Sequence, residues 1–147
     1  MAYDTTEAVA KFLSGFQMKI TNRERDTVAP DYYVKYSLTL SKGGKDFSTT
    51  FVSDGEPTVT QVFSALADDA LTLRKYSTDE FVDKLYAQGV KPSAALRAYD
   101  SCKETNLWMQ DELYLSGWEI EEISKTLTKH GDEVNTLVEK AASDRPR

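Results

Sequence analysis

The chain has one cysteine, Cys102, among 147 residues, so no disulfide forms within it, and this usage fits a reducing cytoplasm. It also has one histidine, His130, which leaves a zinc site short of ligands. His130 precedes Gly131, where a helix is expected to end, and Asp132-Glu133 lacks the alternating acids and central glycine of a calcium loop. No glycine-rich phosphate loop and no nucleophile-elbow pattern occurs, and a catalytic triad has only one histidine to draw on. No stretch approaches the roughly 20 apolar residues of a membrane span. The start carries no basic segment followed by an apolar run, so no secretory leader is expected. These shortages point to a protein with no metal, no cofactor, no membrane association and no enzymatic activity.

What the chain has is acid, unevenly spread. The net charge is −6. Residues 1–53 carry seven Lys/Arg against six Asp/Glu, whereas residues 54–147 carry eleven against eighteen. The window Asp100–Glu122 holds seven acids (Asp100, Glu104, Asp111, Glu112, Glu119, Glu121 and Glu122) and one base, Lys103. Such a surface repels nucleic acid and attracts a basic partner.

The clearest structural signal is Asp31–Val52. Tyr32, Val34, Tyr36, Leu38 and Leu40 alternate with Tyr33, Lys35, Ser37, Thr39 and Ser41, giving one apolar and one polar face. Gly43-Gly44 supplies the two positive-φ positions of a tight hairpin turn. That turn sets Lys42 against Lys45, Leu40 against Phe47, Leu38 against Thr49 and Tyr36 against Phe51. A hairpin is not stable alone, so its apolar face needs a cover.

Helices are available to provide it. Thr5 or Thr6 caps a first helix with Val9, Phe12, Leu13 and Phe16 on one stripe, and Met18 and Ile20 fit a third, short strand. Asn22–Pro30 is polar, charged and proline-terminated, and reads as an exposed loop. After the hairpin, Pro57 stands at or near the first position of a helix striped by Val59, Val62, Phe63, Leu66, Ala70 and Leu73. Ser77 and Glu80 have capping-box spacing before Phe81, Val82, Leu85 and Tyr86, with Gly89 as the C-terminal stop. The longest helix is expected over about Ser93–Tyr114, with Ala95, Leu96, Tyr99, Cys102, Asn106, Met109 and Leu113 inward. Ser116 and Glu119 form a second capping box, and Val134, Leu137, Val138 and Ala141 mark a last helix before a frayed 143–147 tail. The expectation is one α+β domain: an N-terminal helix and an antiparallel hairpin, with a third short strand, packed against about five C-terminal helices.

Two candidate surfaces follow. The first is acidic: Asp100, Glu104, Asp111, Glu112, Glu119, Glu121 and Glu122 around Trp118, the more exposed of two tryptophans, arranged as an aromatic with a charged rim. A run of acids also serves simply as a solvated face. The second is the outer hairpin face, where Tyr33 and Lys35, with Lys19, Arg23 and Arg25 nearby in sequence, could stack on and neutralise a single strand. Serines and threonines dominate that face, so nucleic acid is the weaker partner.

The runs YSLTLSKGGKDFSTTF, EPTVTQVFSAL, KYSTDEFVDKL, KPSAALRAYDSCKE and WEIEEI resemble a group of short accessory proteins of tailed bacteriophages and prophages, over about residues 32–123. The chain departs from that group at Lys84-Leu85, where Phe-Cys often stands. The resemblance implies a small protein of the bacterial host cytoplasm with no catalytic motif. With the acidic window, it implies action by stoichiometric binding to a host protein with a basic surface, as inhibitors of CRISPR and other defence systems act. The alternatives are a replication or recombination accessory using the hairpin face, and a small nucleotide-signal-binding protein or enzyme.

Overall fold

In the computed structural model, which describes residues 6–25, 34–53 and 55–143, the hairpin forms around Gly43 and Gly44, whose φ angles are 62° and 80°. Only left-handed backbone turns this tightly in register with the twist of the flanking strands. Strand β2 (Val34–Lys42) pairs with β3 (Lys45–Ser53) with Lys42 opposite Lys45, Leu40 opposite Phe47, Leu38 opposite Thr49 and Tyr36 opposite Phe51, the register that the alternation requires. Tyr32 and Tyr33 lie outside the described residues.

The third strand is longer than its apolar signal. Strand β1 spans Gln17–Arg25 on the other side of β2, giving the order β1-β2-β3, all antiparallel. Asn22–Arg25, expected as loop, is strand. The register shifts between Ile20 and Asn22, where Thr21 is the extra residue and its hydroxyl donates to the Ser37 carbonyl at 3.1 Å. This bulge turns the next residues over, so Arg23 comes opposite Tyr36. Charged residues on an edge strand carry no apolar alternation to read, and edges favour them because they discourage further pairing.

The helices are α1 (Thr6–Leu13), α2 (Val59–Lys75), α3 (Thr78–Ala87), α4 (Pro92–Asp111) and α5 (Gly117–Ser143). Pro57 falls one residue ahead of the cap rather than inside α2. Thr58 is the N-cap, and its side chain and that of Gln61 bond each other's backbone amides. Ser77 and Glu80 cap α3, Ser116 and Glu119 cap α5, and Gly89 takes a φ of 85° after α3. Helix α5 is two helical runs joined at His130, whose φ of −132° and ψ of 28° break the helical path where the sequence places an end.

One hydrophobic core joins these parts. The inner sheet residues Tyr36, Leu38 and Leu40 meet Val9 and Leu13 of α1, Val62, Phe63 and Leu66 of α2, Trp108 and Met109 of α4, and Ile120, Ile123, Leu127, Val134 and Val138 of α5. Phe12, Phe16 and Phe63 pack edge to face, with centroids 5.4–5.9 Å apart. The buried stripe of α4 is rotated from the expected one. Ala95, Cys102, Thr105, Trp108 and Met109 are buried, whereas Leu96 is 54% exposed and Leu107 47%. Thr105 enters the core because its hydroxyl is satisfied within the helix, on the Ser101 carbonyl at 3.0 Å. In α3 only Phe81 is buried, and Tyr86 faces water.

Candidate functional site: the outer face of α4

The rotation of α4 decides what its outer side presents. Leu96, Asp100, Leu107 and Asp111 recur at spacings of four, seven and four, so they stand on one helical face, with Glu104 beside them. All five are exposed. Asp100, Glu104 and Asp111 make no ion pair among the described residues. Lys103 lies on the same side and Arg97 at its N-terminal margin, so the acids frame Leu107 most completely toward the C-terminal half. The two surface leucines stand about 16 Å apart along the helix, each an exposed apolar side chain set among the charges of Asp100, Lys103, Glu104 and Asp111.

A third exposed apolar side chain, Tyr114, follows the end of α4. Glu112 ends α4, its amide bonded to the Trp108 carbonyl at 2.9 Å, and Tyr114 follows with a φ of 57°. Its side chain is 86% exposed, the highest value among the large apolar side chains described. Glycine or asparagine ordinarily fills a left-handed position after a helix, and a tyrosine there costs on the order of 1–2 kcal/mol. The Leu115 amide bonds the Met109 carbonyl at 3.1 Å and returns the chain to the core, where Leu115 is buried. The backbone therefore holds an aromatic ring in water just beyond the C-terminal end of α4.

The acidic window does not form one surface. Glu112 lies 3.8 Å from Lys45 at the hairpin turn. Glu119 accepts the Ser116 amide at 2.9 Å as part of the α5 cap. Glu121 faces Arg74 at 3.9 Å and Lys125 at 3.6 Å, and Glu122 faces Lys125 at 4.0 Å. Exposed pairs of this kind contribute at most about 1 kcal/mol, but they reduce the field these acids project. Trp118 is 49% exposed on the first turn of α5, and Trp108 is buried against Phe47, with centroids 4.6 Å apart. Asp100, Glu104 and Asp111 are thus brought together with Leu96 and Leu107, while Glu112, Glu119, Glu121 and Glu122 are engaged elsewhere. Sequence reading missed both leucines because either of two overlapping stripes gives α4 an apolar face.

The outer hairpin face keeps only part of its expected set. Lys19 and Lys35 share the polar side with Ser37, Thr39 and Ser48. Arg23 is carried to the other side by the bulge. It stacks over the Tyr36 ring at 5.6 Å and pairs with Glu56. Tyr33 lies outside the described residues, and of Arg25 only the backbone, paired with Val34, is described. Among the described residues no group of three or more His, Cys, Asp or Glu could hold a metal ion, and no helix is long and apolar enough to cross a membrane.

A separate feature was not legible in the charge layout along the chain. A groove of about 690 Å³ runs between α2 and α5, with Arg74 and Lys75 on one side and Lys125 and Lys129 on the other. Comparison with protein-family models, with curated proteins and with solved structures found no match.

Proposed function

We propose that this protein acts by stoichiometric binding to a second protein, docking the outer face of α4 onto a basic surface. Leu107 carries the reading: it is half-exposed on a helix whose buried stripe faces elsewhere, and it is framed by Asp100, Glu104 and Asp111. An apolar contact supplies affinity once water is excluded, and a surrounding rim of one charge sign sets orientation and speeds encounter. Leu96 one way along the helix and Tyr114 past its other end are further exposed apolar side chains.

The resemblance to phage accessory proteins supports a bacterial host protein as the partner and the host cytoplasm as the place of action. A host defence effector that holds nucleic acid in a basic groove fits the acids of α4 by charge, and occupying that groove would inhibit it. The test is a titration of purified defence effectors with the full chain, read as complex mass by light scattering after size exclusion and as effector activity. A complex of fixed stoichiometry is expected, weakened at least about tenfold by Leu107→Glu and by the triple change Asp100→Lys, Glu104→Lys, Asp111→Lys. Changing Glu119, Glu121 and Glu122 to Lys is expected to matter less. A complex insensitive to both α4 variants removes this face from the mechanism, and absence of any complex removes the inhibitor reading.

A further inference from the structure

Four of the chain's eighteen lysines and arginines meet in one groove of a protein whose net charge is −6. Arg74 and Lys75 come from the last turn of α2, and Lys125 and Lys129 are one turn apart on α5. The acids lining the same groove are Asp68 and Glu121. Glu121 holds Arg74 and Lys125 only at 3.9 and 3.6 Å, across exposed side chains. Lys75 and Lys129 make no ion pair among the described residues. A like-charged cluster on an oppositely charged chain is mutually repulsive, and an anion in the groove relieves that repulsion.

The position of Arg74 is set by the fold. Its guanidinium lies against Gly117, so close that a Cβ there would stand 2.5 Å from the Arg74 Cζ. A side chain at the first residue of α5 would push the guanidinium away, so glycine leaves it room at the mouth of the groove.

The groove continues along the same helix pair. A second hollow of about 400 Å³ is lined by Gln61 and Ser64 of α2 and by Asp132 and Asn135 of α5, and Asp68 borders both. The Asp68 carboxylate accepts a hydrogen bond from the Ser124 hydroxyl at 3.1 Å and retains further acceptor capacity. One end of the seam is therefore cationic, and the other offers amide and hydroxyl groups with the Asp132 carboxylate, which accepts from hydroxyl and amino groups, while Asp68 stands between the two ends. Phosphate oxygens suit the first, and the ring edges and sugar hydroxyls of a nucleoside suit the second.

We propose that the seam between α2 and α5 binds a nucleoside di- or triphosphate, with its phosphates between Arg74, Lys75, Lys125 and Lys129 and its nucleoside toward Gln61 and Asn135. No residue of α4 lines either hollow, so this site stands or falls independently of the docking face.

The test is calorimetric titration of the full chain, at low salt, with ATP, with GTP, with pyrophosphate and with a single-stranded DNA oligomer. The double variant Lys75→Gln, Lys129→Gln is run alongside, its fold checked by circular dichroism. One-to-one binding of at least one nucleotide is expected, with pyrophosphate weaker because it leaves the polar half empty. The double variant is expected to lose about tenfold or more in affinity, as removal of charge-assisted contacts to phosphate predicts. Amide resonances at Arg74, Lys75, Lys125 and Lys129 should shift with nucleotide. If the double variant unfolds, those shifts in the unaltered protein decide: their absence overturns the assignment. No binding of either nucleotide, equal affinity in a folded double variant, or binding of the oligomer alone would overturn it as well.

Discussion

The ammonium of Lys42 lies 3.5 Å from the centre of the Phe12 ring and 4.8 Å from that of Phe16, and donates to the Phe12 carbonyl at 3.2 Å. This ties the last residue of β2 to α1, across 30 residues of chain. Burial lowers the pKa of this lysine, while the two ring faces favour its charged form. Gly15 sits beneath the same side chain, with the position of its absent Cβ 3.2 Å from the lysine Cε. Replacing Lys42 by Met keeps the stem and removes the charge. A loss of about 1 kcal/mol is expected, the size of a partly desolvated cation–π contact. Urea denaturation would show it as a lower midpoint at unchanged slope. An unchanged midpoint would mean that desolvation cancels the ring attraction.

Tyr114 predicts the opposite sign. Its φ of 57° strains any residue with a Cβ, and its ring is exposed, so Tyr114→Gly removes strain and little packing. A gain of about 1 kcal/mol in stability is expected from thermal or chemical unfolding. If the docking surface takes in Tyr114 beside the α4 face, the same variant weakens the complex while stabilising the free protein. Proteins commonly give up stability in this way at working surfaces.

Trp108 carries a buried indole N–H with no hydrogen-bond partner among the described residues. An unsatisfied buried donor costs about 1–3 kcal/mol. Trp108→Phe removes that donor, keeps an aromatic against Phe47 and leaves a smaller ring. The two effects oppose, so a net change within about 1.5 kcal/mol is expected, against about 3–5 kcal/mol for Trp108→Ala. A loss in Trp108→Phe well above about 1.5 kcal/mol would show that the N–H contributes a hydrogen bond and so is satisfied.

Asp69, on α2, gives a pH dependence. Burial first, and then the neighbouring Asp68 carboxylate, raise its pKa above the usual 3.8. An acid whose folded pKa is raised destabilises the fold when ionised, and that cost disappears as pH falls through the folded value toward the unfolded one. Asp69→Asn is therefore expected to be more stable than the parent at neutral pH, with the gap closing on acidification and absent below the unfolded pKa. A gap that is constant with pH would assign the effect to something other than titration.

Cys102 shares that environment. Burial, with the Asp69 carboxylate adding to it, pushes its thiol pKa up to about 11. The thiolate is then scarce at neutral pH, and the sulfur lies in the α4 interface. Alkylation by iodoacetamide is expected to be slow in the folded protein and fast in denaturant. Equal rates would show that α4 opens readily.

The hairpin was legible to the residue because side-chain alternation has a period of two and its turn needs two glycines. Both are local requirements, and together they leave one register for Lys42–Lys45 through Tyr36–Phe51. Caps at Ser77 and Ser116, and the break at His130-Gly131, were legible for the same reason: a helix end is satisfied by neighbours three residues away. The extension of β1 through Arg25 was not, since a bulge at Thr21 and a charged edge erase the alternation that marks a strand. Nor was the face of α4, where Leu96 and Ala95 are adjacent and only the neighbours decide which one turns inward. Charge behaved likewise. The window Asp100–Glu122 is one block along the chain, but its acids separate once Lys45 and Arg74 approach from other elements, with Lys125 pairing one turn along α5. The cationic groove assembles from two pairs of residues at least 50 positions apart. Local periodicity and capping are properties of a few consecutive residues, so the sequence by itself determined them. Which face is buried, which charges are neutralised and which cations converge depend on residues brought together from distant positions, and only the tertiary structure decided those.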